Sequence, residues 1–149
     1  MRTAAYGLLG AVLLCALVLF LLRRNPVLLS LGEDVRSDHG YQVLNPFRSR
    51  QPERPAVALL KRLKAGECAI ALGRIDPDQH RVASICEKEH DSPITGWHLQ
   101  AVGLDRGRTI LRFGVRRVSA GRRFTDPFWF WVAPRSADAW EVTGYEPWY

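Results

Sequence analysis

From Thr3 to Leu22 the chain has no charged side chain, TAAYGLLGAVLLCALVLFLL. At about 1.5 Å rise per residue, some 20 residues cross roughly 30 Å of hydrocarbon. A helix satisfies its own backbone groups there, so the run predicts a transmembrane anchor over 1–24. A cleaved signal peptide, the alternative, has a shorter apolar stretch and a small-x-small site. Here Arg23, Arg24, Asn25 and Pro26 follow the run, and Leu14 precedes Cys15 where a lipoprotein signal wants a small residue. Residues 25–51 mix NPVLL, GEDVRSDHG and NPFRSRQP. Their prolines and polar run argue against one long helix and predict an extended or partly ordered linker. Val27, Leu28, Leu29 and Leu31 would lie at the bilayer surface or on the domain.

The domain then spans 52–149. In PERPAVALLKRLKAG, Ala56, Leu59, Leu60 and Leu63 follow the spacing of one buried helical face. Pro52 and Pro55 suit a first turn, and Gly66 is a natural stop. A second helix is predicted from Asp76-Pro77 through His80, with Val82, Ile85 and Cys86 at helical spacing. After Pro93 the period becomes two. Trp97, Leu99 and Ala101 alternate with His98, Gln100 and Val102; Leu111, Phe113 and Val115 with Arg112, Gly114 and Arg116. Phe128, Phe130 and Val132 alternate with Trp129 and Trp131, and a last strand opens at Trp140-Glu141-Val142-Thr143. Short turns between these runs predict an antiparallel meander. The fold class is therefore α+β: an N-terminal transmembrane helix, then two helices packed on a curved four-stranded antiparallel sheet.

An amphipathic helix ending in Ala65-Gly66-Glu67-Cys68, a shorter helix, and a sheet closing on Trp140-Glu141-Val142 resemble the nuclear-transport-factor-2-like superfamily. The likeness covers about 52–145. It implies a cone, a curved sheet wrapped on helices, which often dimerises through its sheet, so a homodimer is a further expectation. Some members are small extracytoplasmic domains behind a single anchor. The fold hosts isomerases, dehydratases and non-catalytic binding domains alike, so it does not choose a function. In its isomerases a carboxylate and a tyrosine line the cone. No match is legible here, with Tyr145 read after the last strand and Tyr41 in the linker, and no catalytic residue is carried over.

The net charge is +6, and the only lysines are Lys61, Lys64 and Lys88. Charge gives orientation little leverage: the amine and Arg2 nearly balance Arg23 and Arg24, with a slight lean to a cytoplasmic domain. Cys68 and Cys86 lean the other way. As a disulfide they would place the domain outside the cytosol, and a short amino tail before one early anchor is the usual layout of an exported domain. The extracytoplasmic side is expected. Two ordinary buried thiols remain the alternative. Zinc on Cys68, His80, Cys86 and His90 lacks the paired spacing that preorganises ligands, and a cysteine nucleophile lacks a visible base. No metal and no cofactor are expected.

Three surface features remain. Glu87, Glu89, His90 and Asp91 read as a solvated helix end rather than acid–base groups. Arg106, Arg108, Arg112, Arg116, Arg117, Arg122 and Arg123 crowd one stretch without an intervening carboxylate. Arg112, Arg116, Arg117, Arg122 and Arg123 are the candidates for an anion patch, against the plainer reading of solvated turns. Phe128 to Trp131 put two aromatics on each sheet face, and Trp148 and Tyr149 end the chain. Trp129, Trp131, Trp148 and Tyr149 are the interface candidates, unless linker or tail buries the second pair. The expected function is a membrane-anchored, non-catalytic binding domain, accessory to an envelope or membrane complex, with a protein partner or an anionic envelope component and no nucleic acid. A small-molecule pocket or enzyme of the same fold is the runner-up, and a structural accessory subunit the third reading.

Overall fold

The uncharged run is helical. In the computed structural model, which describes residues 2–24, 27–31, 41–105 and 108–147, helix α1 spans Arg2–Arg24. Its described apolar side chains from Val12 to Leu21 are exposed: Val12, Leu14, Leu17, Phe20 and Leu21 are all more than half exposed. Of α1, side chains are described at Gly7 and from Gly10 to Arg24. Within what is described, no helix is long and apolar enough to cross a membrane. The linker holds more order than its composition suggests: β1 (Val27–Leu31) and β2 (Tyr41–Leu44) form an antiparallel ribbon.

Helix α2 (Glu53–Lys64) buries Ala56, Leu59, Leu60 and Leu63, the face its spacing predicts. It stops in a Schellman motif. Gly66 takes a φ of 81°, its N–H donates to Leu63 O at 3.0 Å, and Glu67 N donates to Arg62 O at 3.0 Å. A five-residue helix absent from the sequence reading, α3 (Cys68–Leu72), comes next. Three helices, not two, thus follow the linker. The next, α4, runs Gln79–Asp91 and starts later than predicted. Asp78 is its N-cap, accepting from His80 N and Arg81 N, while Asp76 Oδ1 accepts from Asp78 N at 2.9 Å in the turn before it.

The sheet is a four-stranded antiparallel meander in sequence order: β3 (Ile94–Asp105), β4 (Arg108–Ser119), β5 (Arg122–Pro134) and β6 (Trp140–Pro147). Ala120 and Gly121 both have positive φ, 48° and 75°, the geometry of a two-residue turn matched to strand twist. Register shifts interrupt β3 at Ile94/Gly96 and Leu99/Ala101, and β5–β6 pairing at Trp131/Val132. Such bulges bend a sheet. The one at Leu99/Ala101 also reverses the predicted facing. Val102 joins the core with Trp97 and Leu99, and Ala101 turns to the other face.

One core lies between helices and sheet. Leu60, Leu72, Val82, Ile85, Leu111, Phe113, Val115, Phe128 and Phe130 fill it. Phe128 stacks on Phe130 at 4.7 Å, and Phe113 meets Phe130 edge-on at 5.7 Å. Cys68 and Cys86 form a disulfide with their Cα atoms 5.5 Å apart. Cys68 opens α3 and Cys86 lies inside α4, so the bond ties these two helices.

Candidate functional site

The turn between α3 and α4 brings three side chains together that the sequence leaves far apart. Asp76, 8% exposed, sits where Ile75 N and Asp76 N both donate to Leu72 O. Its Oδ2 accepts from Tyr145 Oη at 3.2 Å and from Arg81 Nη1 at 3.1 Å. Arg81 Nη2 donates to Tyr145 O at 3.1 Å, and its guanidinium carbon lies 5.2 Å from the tyrosine ring centre. Tyr145 is buried within β6, not beyond the last strand as expected. The cluster borders a groove of about 320 Å³, which Arg108, Trp131, Thr143 and Glu146 also line.

A carboxylate and a tyrosine do meet at this groove. Their arrangement holds rather than transfers a proton. Burial, then the Asp76 charge, pushes the Tyr145 hydroxyl up from 10.0 to about 12. It stays protonated at neutral pH, and its proton is already donated to Asp76. Asp76 in turn accepts from three donors: Asp78 N, Arg81 and Tyr145. The cluster therefore clamps the start of α4 to β6. An alkaline absorbance titration checks this. One tyrosine is expected to ionise near pH 12, Tyr145→Phe to remove that phase, and Asp76→Asn to move it down. The folded chain keeps this proton between about 10 and about 12 while the unfolded chain loses it, so the tyrosine's contribution to stability fades as pH rises through that window. A Tyr145→Phe variant should show a shallower decline.

The anion-patch candidates separate. Arg116, Arg122 and Arg123 are exposed. Arg112 is half-buried, with its guanidinium carbon 5.6 Å from the Trp129 ring centre. Arg117 leaves the patch altogether: it shares the parity of Leu111, Phe113 and Val115, faces the helices and is 1% exposed. Its Nη1 and Nη2 donate to Glu89 at 2.6 and 2.5 Å, and Nη1 also donates to Ser92 O at 2.9 Å. Glu89 is therefore buried, not part of a solvated helix end. Asp126 Oδ2 stands 3.5 Å from Arg117 Nε. Burial raises the Asp126 carboxyl, with Arg117 acting against it. Arg116 and Arg123, with Thr95, Phe124 and Thr125, line a second groove of about 390 Å³.

No protein-family model, curated protein or solved structure matches the chain.

The remaining candidates resolve by burial and bonding. Trp129 and Trp131 are 6% and 8% exposed, clustered with Ala101 and Ile110 on the sheet face away from the main core. As an exposed interface pair they are corrected: a single chain already covers them. Trp148, Tyr149 and Arg106 lie outside the described residues. Cys68 and Cys86 are bonded to each other and supply neither zinc ligand nor nucleophile. Asp76, Arg81 and Tyr145 escaped sequence reading, because Asp76 reads as a helix start and Tyr145 as lying after the last strand. Gly144 instead continues β6, and a Cβ there would lie 3.6 Å from the Trp131 ring.

Proposed function

We propose that the chain is a single-pass, membrane-anchored extracytoplasmic domain of the nuclear-transport-factor-2-like kind that binds an anionic partner and catalyses nothing. One observation carries the anchor: a 23-residue helix that begins and ends on arginines and whose described apolar residues from Val12 to Leu21 are exposed. At about 1.5 Å per residue it is roughly 35 Å long, against roughly 30 Å of hydrocarbon. The Cys68–Cys86 disulfide favours the oxidising side. Helices followed by a bulged antiparallel meander support the cone reading. The absence of catalysis is inferred from the Asp76–Tyr145 pair, the carboxylate–tyrosine pair found at a groove among the described residues, being spent on its own clamp.

The partner would dock at the groove of Arg116, Arg123 and Phe124, where two guanidiniums are exposed beside an apolar ring. The dimer expectation draws no support from the outer sheet face, since its tryptophans are already covered. Two measurements test the proposal. Alkaline carbonate should leave the full chain in the membrane pellet; release into the wash would remove the anchor. A photo-crosslinking residue at Phe124 should give a discrete adduct in intact membranes, lost when Arg116→Glu and Arg123→Glu are combined. An adduct unchanged by that reversal would sink electrostatic capture.

A further inference from the structure

The end of α1 is fastened to the domain by residues that follow the ribbon. Asn45, fully buried, donates from Nδ2 to Leu22 O, and Ser49 N donates to Arg23 O at 3.1 Å. These bonds satisfy carbonyls that a helix end leaves open. The fastening gathers four arginines around one pocket of about 510 Å³: Arg23 from α1, Arg48 and Arg50 from the turn, and Arg54 from α2. Leu19 and Phe47 supply its apolar lining.

Among the described residues, the charges in this pocket do not balance. Arg48 is the innermost cation, its side chain 8% exposed. It donates from Nη2 to Glu53 at 2.5 Å and from Nη1 to Asn45 O at 3.1 Å. Its Nε is buried with no hydrogen-bond partner among the described residues. Among the described residues, the guanidiniums of Arg23, Arg50 and Arg54 make no hydrogen bond or ion pair. Glu53 thus offsets one of four positive charges. A buried guanidinium N–H without an acceptor is costly, and an oxyanion entering the pocket would supply one. Guanidiniums recognise phosphate through paired, charge-assisted hydrogen bonds. The volume suits more than a bare ion. Phe47, 53% exposed, and Leu19, 49% exposed, give the lining an accessible apolar side.

The geometry points to a phosphate-binding site at the foot of α1, whose occupant is the phosphodiester headgroup of an anionic lipid. The lipid as source rests on the anchor reading of α1; the phosphate chemistry does not. Arginines near the end of a membrane helix ordinarily favour the cytoplasmic side. Lipid phosphates neutralising them would let the domain stand on the opposite side.

The test uses the full chain in nonionic detergent, titrated with short-chain phosphatidylglycerol, short-chain phosphatidylcholine and inorganic phosphate, and followed by calorimetry. Phosphatidylglycerol should saturate one site and bind at least about tenfold tighter than phosphatidylcholine. The double variant Arg50→Gln/Arg54→Gln removes two exposed arginines and leaves Arg48 in place. It should weaken phosphatidylglycerol roughly 10- to 30-fold, the change expected for two interfacial charges. Arg122→Gln, at an exposed arginine where β5 begins, should change nothing. If inorganic phosphate saturates the same site and competes with the lipid, the bare phosphate is what is recognised, and soluble phosphates join lipids as sources. If it does not, the lipid headgroup is the occupant. The proposal falls if phosphatidylglycerol binds no tighter than phosphatidylcholine and phosphate does not bind, or if Arg50→Gln/Arg54→Gln binds like wild type. Carbonate extraction reads the anchor independently, so a chain washed from the membrane that still binds phosphate loses only the lipid source.

Discussion

Glu89→Ala is expected to destabilise the domain by about 3–5 kcal/mol, read from urea unfolding of the full chain by circular dichroism. Its partner Arg117 is 1% exposed and sits between the end of α4 and the core. Two guanidinium nitrogens donate to the carboxylate, and a third faces Asp126 at 3.5 Å. Alanine would strip the buried guanidinium of its main anion, with the carbonyl of Ser92 and the more distant Asp126 among the partners that stay. A buried cation stripped of its main anion costs far more than the intact pair contributes. Asp126 stands farther off, 3.5 Å from Nε, and burial raises its carboxyl. Losing Glu89 would remove one further cause of that rise, a partial rescue only. The matched control is Glu89→Leu with Arg117→Leu, which exchanges the pair for apolar volume and should recover most of the loss. A cost below about 1 kcal/mol for Glu89→Ala would mean that water reaches Arg117, and the pair would then be an ordinary surface contact.

That ion pair marks the boundary of what the sequence shows. Long periodic segments are legible because burial on one face imposes their spacing. Ala56, Leu59, Leu60 and Leu63 are buried as a set, and Phe128, Phe130 and Val132 share the core. Arg117 has the same parity as Leu111, Phe113 and Val115, yet nothing local shows that a carboxylate 28 positions earlier will meet it. The bulge at Leu99/Ala101 hides for a different reason: Ala101 and Val102 are both apolar, so the pattern reads equally well in either register. Helix α3, five residues long, is too short to display a period. The clamp of Asp76, Arg81 and Tyr145 and the arginine pocket beneath α1 are products of topology. Their members come from separate elements, and each has an ordinary local explanation as cap, turn or charged face.

Cys68→Ser combined with Cys86→Ser is expected to cost about 3 kcal/mol, the chain-entropy value for opening a loop of this size. The loss should fall unevenly. Helix α3 is too short to persist on its own, and the bond joins its first residue to α4. Hydrogen exchange is therefore expected to accelerate most over 68–72 and less over α2, which keeps its four buried apolar residues and its Schellman stop. Cys15 is exposed on α1 and outside the loop, so Cys15→Ser should leave unfolding unchanged. An equal loss over α2 and α3 would make the bond a global constraint rather than a local tie. The same bond reports its compartment. Alkylation of intact cells followed by non-reducing peptide mass analysis should recover Cys68 linked to Cys86, because such bonds persist outside the reducing cytosol. Free thiols at both positions would overturn the extracytoplasmic reading. The domain would then lack this stabilisation, and the arginines at the foot of α1 would be on the side where charge beside a membrane helix ordinarily lies.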